Sequence, residues 1–130
     1  MSSIFTKIIN REISASIIAE DDGHIAFLDI NPLTYGHTLV VPKKEVDYIY
    51  DLSDTELTNL NLFAKKVAIA IKKAIECNRV GITVIGLEVP HAHIHLIPIN
   101  GMDDMNFSRP KLSLSSEKAS DILEKIKSKL

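Results

Sequence analysis

The stretch Glu88-Val89-Pro90-His91-Ala92-His93-Ile94-His95-Leu96-Ile97-Pro98-Ile99 constrains the fold more than any other part of the chain. Histidines at 91, 93 and 95 alternate with Ala92, Ile94 and Leu96, the period-two pattern of a half-buried β-strand. Residues two apart on a strand point to the same side, about 6.5 to 7 Å from one another. The sequence therefore predicts a strand with one imidazole face and one core face, ending at Pro98.

Three such rings in a row carry chemistry. Each titrates near neutral pH, and protonated neighbours repel, so at least one ring is neutral and available as nucleophile, base or ligand. Two chemistries fit. One is metal ligation, because imidazole is a common ligand for zinc, copper and nickel. The other is nucleophilic catalysis at phosphorus, with the middle ring attacking while the flanking rings stabilise charge and handle protons. Same-face positions on one strand seldom close three sides of a tetrahedron, whereas a linear array beside a phosphate pocket is what a strand can give.

The remainder of the chain bounds the setting. With 130 residues, 45% of them hydrophobic, it is expected to form one domain over 1–130 around one core. A net charge of −2 gives no electrostatic reason for nucleic acid or an anionic membrane as partner. There is no basic-then-apolar leader and no apolar run near eighteen residues, so the expectation is a soluble cytoplasmic protein. Cys77 is the single cysteine and is expected to be a buried structural thiol at a helix end.

In chain order, residues 3–10 predict a short capped helix with Ile4, Phe5, Ile8 and Ile9 apolar. Strands are expected at 16–20 and 24–29 about the Asp21-Asp22-Gly23 turn, with His24 exposed and non-catalytic. Asp29 can cap the turn at Ile30-Asn31-Pro32. A third strand runs 37–41 up to Pro42, with Lys43 and Lys44 solvating its end. Ser53 with Glu56 three residues later announces a long helix out to about Cys77. Its broad apolar surface serves as core or as a dimer element. A fourth strand is expected over 80–86, a loop over 101–110, and a last helix from Ser115 with Ile122, Leu123, Ile126 and Leu130 as its stripe.

His91-Ala92-His93-Ile94-His95-Leu96-Ile97 resembles the His-φ-His-φ-His-φ-φ motif (φ apolar) of the histidine triad, or HIT, family of nucleotidyl hydrolases and transferases. The blocks Ile4–Ile9, Glu20–Asp22, Ala26–Pro32 and Gly36–Lys44 are similar to the family's N-terminal half, in its order. The likeness covers roughly residues 3–100 and leaves a C-terminal extension over about 101–130. It implies an α+β class and the HIT fold: a mainly antiparallel five-stranded sheet with one long helix, a short N-terminal helix and a C-terminal helix.

The resemblance also implies a function. His93 would attack the α-phosphorus of a nucleoside phosphoramidate or dinucleoside polyphosphate, forming a nucleotidyl-histidine that water then cleaves. His91 and His95 would flank the phosphate, and His37 would help hold the nucleophilic ring in its working tautomer. Phe5, Ile8, Phe27, Asp29, Ile30, Leu39 and Glu88 would bind the nucleotide, with Asp29 on the ribose hydroxyls and a purine nucleoside monophosphate moiety favoured. No cofactor and no metal are called for. The family's zinc-bearing branch has cysteines where this chain has Ser3 and Thr6 and a histidine where it has Glu45, which places the chain with Hint-like proteins lacking the zinc ligands. Glu88 stands where close relatives have a serine. A homodimer is implied, and the alternative reading is a nucleotide-binding regulatory dimer with little or no turnover.

Overall fold

The structure, a computed structural model, describes residues 2–130; Met1, the first residue of the expected domain, lies outside them. Five antiparallel strands form one sheet in the order β1-β2-β3-β5-β4. In chain order the elements are α1 (Ile4–Ile9), β1 (Ile17–Glu20), β2 (His24–Leu28), β3 (Thr38–Pro42), α2 (Asp54–Ala74), β4 (Arg79–Thr83), β5 (Ile94–Ile99) and α3 (Ser116–Lys127). This is the α+β architecture expected from the sequence, five strands and three helices.

Alternation along the strands divides the interior between the sheet's two faces. Ala26, Leu28, Val40, Ile94 and Leu96 pack on one face against Leu60, Phe63, Ala64, Val67 and Ile71 of α2. Ile25, Phe27, Leu39 and Val41 pack on the other face with Phe5 and Ile8 of α1. The long helix starts where its sequence says it should. The Ser53 hydroxyl accepts from the Glu56 N–H at 3.1 Å, and Glu56 Oε1 accepts from the Ser53 N–H at 2.8 Å. It ends at Ala74 rather than near Cys77, because Ile75 turns extended, and Cys77 is half-buried. Helix α3 docks on its own domain, with Ile122 and Ile126 in the α2 core.

The histidine stretch differs from expectation at both ends. β5 begins at Ile94, so only His95 of the three lies within the strand. Continuing the register of Leu39 with His95 and Val40 with Ile94 would set Pro42 opposite Ala92. Pro42 has no N–H to give, so the ladder stops, and the Ala92 N–H goes instead to the Val46 carbonyl at 2.7 Å. At the far end the strand continues through Pro98 to Ile99. The Pro98 carbonyl accepts from Thr34 Oγ1 at 2.8 Å on the side where β3 has not yet begun, so no ladder donor is missed. The fourth strand stops at Thr83, not at 86, where its pairing with β5 ends opposite His95. His24 is not exposed: its ring stacks on Phe63 at 5.2 Å and bonds Asp21 Oδ1 at 2.9 Å.

Gly36 is required by both dihedral and space. Its φ is +101°, and a Cβ there would meet Pro98 Cγ at 3.0 Å and Ile75 Cγ1 at 3.2 Å. Gly36→Ala is expected to lower stability by about 1 to 3 kcal/mol in urea denaturation, the range for a strained left-handed residue.

Candidate active site

A cavity of about 450 Å³ opens on the α1 face of the sheet, in the size range of about 300 to 1,000 Å³ typical of small-molecule sites. Its apolar floor is Phe5, Ile8, Phe27 and Leu39, four members of the smaller core cluster. Asp29, Ile30 and Glu88 border it, as do His93 and His95. Of the residues singled out in the sequence, His37 and His91 do not line it.

Four imidazoles, His37, His91, His93 and His95, are buried here, none more than 8% exposed. Their tautomers follow from partners whose roles are fixed, since a backbone N–H only donates and a carbonyl only accepts. The Leu33 N–H donates to His37 Nδ1 at 3.0 Å, so the neutral His37 ring carries its proton on Nε2. That Nε2–H faces His95 Nδ1 at 3.0 Å, which must accept, leaving the His95 proton on Nε2. His93 Nδ1 lies 2.7 Å from the His91 carbonyl and must donate, leaving a lone pair on its Nε2. The two rings beside the cavity are therefore opposite tautomers, one presenting a lone pair and the other an N–H.

Burial favours the neutral form of His37, His93 and His95. It pushes His37 down to about 3 from 6.5 and His95 down to about 4, with help from neighbouring positive charge on His93 and Lys111. Burial also lowers His93, against the opposing effect of its bond to the His91 carbonyl. Asp29 is raised by burial, although its Oδ1 accepts from the Asn31 N–H at 2.9 Å, the turn-capping bond its position suggested. Asp29 Oδ2 is 3.6 Å from His37 Nε2, and with His37 neutral this contact is not an ion pair.

His91, expected beside a phosphate, does not line the cavity. Fully buried, it donates from Nε2 to the Pro42 carbonyl at 2.7 Å and accepts at Nδ1 from the Ser3 hydroxyl at 2.7 Å, so both nitrogens are already engaged. His37 sets the tautomer of His95, and the His91 main chain sets that of His93.

Ser3, Thr6 and Glu45, the positions matched to zinc ligands in the family's zinc-bearing branch, come together with His91 as a hydrogen-bonded cluster. Glu45 Oε1 accepts from the Ser3 N–H at 2.7 Å and from the Thr6 hydroxyl at 2.6 Å, which hold its carboxyl below the usual range. A second group, Asp29, His37 and His95, brings three ligand-type atoms within 4.8 Å of one another. A cation there would have to displace the proton shared between His37 and His95.

Phe107 and Lys111 also border the cavity, and the sequence did not point to them. They sit in an aperiodic stretch whose nearness to the triad is purely tertiary. Phe107 stands edge-on to His95 at 5.0 Å between ring centres.

A family model described as the HIT domain matches residues 10–102. An uncharacterized HIT-like protein of Methanocaldococcus jannaschii is 46% identical over 100 residues, 73% of this chain and 77% of that one. A Schizosaccharomyces pombe protein named adenosine 5′-monophosphoramidase is 33% identical over 135 residues, covering 100% and 99%. Among solved structures, a Hit-like protein involved in cell-cycle regulation from Bartonella henselae superposes with a TM-score of 0.85 at 30% identity, covering 99% and 97%.

Because His37 folds with its pKa near 3 against 6.5 for a free ring, the unfolded chain takes up the proton first. The stability contributed by the neutral ring is complete above about pH 6.5 and is lost progressively as pH falls toward 3. The urea midpoint should therefore drop between pH 7 and pH 4. The drop should be shallower in His37→Asn, whose amide oxygen can still accept from Leu33.

Proposed function

The chain belongs to the HIT family, and on that premise we propose that it is a nucleotide hydrolase or transferase working through a nucleotidyl-histidine. Its substrates are nucleoside phosphoramidates or dinucleoside polyphosphates, cleaved at the α-phosphate. The observation that carries this reading is the pair of opposed tautomers beside one cavity. A lone pair on His93 Nε2 is what a nucleophile needs, and an N–H on His95 Nε2 is what a developing phosphoryl or leaving-group charge needs.

In the first step His93 Nε2 bonds to the α-phosphorus, and the bond to the leaving group breaks as His95 Nε2–H donates to the oxygen or leaving atom where charge builds. The His91 carbonyl keeps its hydrogen bond to His93 Nδ1–H while positive charge develops on that ring. In the second step water attacks phosphorus and gives a proton to His95 Nε2, replacing the one passed to the leaving group, and the P–N bond to His93 breaks, returning the electron pair to its Nε2. The base rests on the apolar floor of Phe5, Ile8, Phe27 and Leu39 with Ile30 at the rim, and Asp29 accepts from the ribose hydroxyls. Glu88, exposed on the loop beside His93, faces the leaving group. A purine nucleotide and a cytoplasmic location belong to the same reading.

Incubating the protein with an adenosine phosphoramidate and measuring intact mass tests it. Wild type should show an adenylyl adduct that His93→Ala cannot form, with turnover in that variant reduced to near background. His95→Phe should cost on the order of 2 to 4 kcal/mol in transition-state stabilisation, as for loss of a single oxyanion donor. Since protonating His93 removes its lone pair and burial has lowered its pKa, the acid limb of kcat/KM should fall below pH 6.5. Nucleotide binding without any adduct on wild type would leave the regulatory reading in its place.

We also propose a homodimer through β4 and α2. β4 ends the sheet with an unpaired edge, Ile82 is 57% exposed on it, and Leu62 and Ile69 are exposed on α2. Sedimentation should report a dimer for the wild type and a monomer for Ile82→Lys. A wild-type monomer at micromolar concentration would refute the pairing.

A further inference from the structure

The cavity is short of positive charge. Asp29 and Glu88 border it, and its two histidines are held neutral by burial. Among the described residues that line it, Lys111 is the only lysine or arginine. A nucleotide phosphate entering this space would meet two carboxyls and a single fixed cation.

That cation is held in place. The segment 103–112, which lies beyond the 10–102 matched by the family model, forms an arm fastened to the loop that precedes β3. The Arg109 guanidinium donates to the Leu33 carbonyl and pairs with Asp104 at 3.2 Å and Asp103 at 3.3 Å. The Leu112 N–H donates to the Pro32 carbonyl at 2.9 Å. Between these anchors Lys111 Nζ donates to the Phe107 carbonyl at 3.1 Å and sits 5.9 Å from the centre of the Phe107 ring, the ring that abuts His95. No carboxylate among the described residues pairs with it, so two of its three N–H groups remain for a ligand.

We propose that Lys111, carried to the cavity by the C-terminal arm, is the residue that binds the nucleotide's phosphate, through its non-bridging oxygens. The proposal rests on the nucleotide reading above and assigns substrate affinity to a part of the chain outside the matched domain. It makes recognition of the phosphate separable from recognition of the nucleoside, which the apolar floor and Asp29 handle.

Calorimetric titration of the full chain with AMP and with adenosine tests it, using wild type, Lys111→Met and Lys111→Arg at low and at physiological salt. Lys111→Met should weaken AMP about tenfold or more, the scale of one lost charge-assisted hydrogen bond, and leave adenosine within about twofold. Lys111→Arg should recover most of the AMP affinity, and the salt dependence of AMP binding should flatten in Lys111→Met. An AMP affinity within about twofold of wild type in Lys111→Met, or an equal loss for adenosine, overturns the assignment. A wild-type chain that binds neither ligand overturns the nucleotide reading itself.

Discussion

Burying four imidazoles side by side is possible only if every ring nitrogen turned into the protein finds a partner. His37 and His91 have both nitrogens engaged, and His93 and His95 have Nδ1 engaged. No buried side-chain nitrogen or oxygen among the described residues lacks a hydrogen bond. What remains is Nε2 of His93 and Nε2 of His95, on the two rings that reach the cavity. Satisfying the buried groups therefore decides which atoms are left to do chemistry, and in which protonation state.

The partners that impose this come mostly from the main chain. Leu33 N–H, Pro42 C=O and His91 C=O cannot change role with pH, so the tautomers are as rigid as the loops that carry them. Gly36, bent to φ +101° against Pro98, brings His37 to the start of β3. Ser3 serves twice, capping α1 through the Thr6 N–H and donating to His91, so the helix over the cavity and the imidazole row are registered by one hydroxyl.

Much of this was legible in the sequence. Period-two alternation and the Ser53–Glu56 capping box located the sheet and the long helix, because both are local physics. Phe5, Ile8, Phe27, Asp29, Leu39 and His93, which the likeness to the HIT family implies as site residues, line one cavity. The onset of β5 was missed because it depends on Pro42, fifty residues away and without an N–H, facing Ala92 across the sheet. The place of His91 was missed because alternation gives a side chain's direction and says nothing of what already occupies that space. Here Ser3 and the Pro42 carbonyl do. Phe107 and Lys111 left no periodic trace, since a loop is fixed by its anchors, and Arg109 finds its own at Leu33, 76 residues earlier.

The two margins of the sheet are unlike. β1 carries a register shift between Ile17 and Ala19, packs against α3, and ends at Glu20, which pairs with Arg11 and Lys43. β4 packs against α2 but, among the described residues, carries no register shift, and it shows Ile82 to solvent. A molecule with a single adhesive rim can join a copy only rim to rim across a two-fold axis, which consumes the rim in both partners. In the proposed dimer growth would stop at two, and the sheet would be spared the open-ended stacking that two bare rims invite.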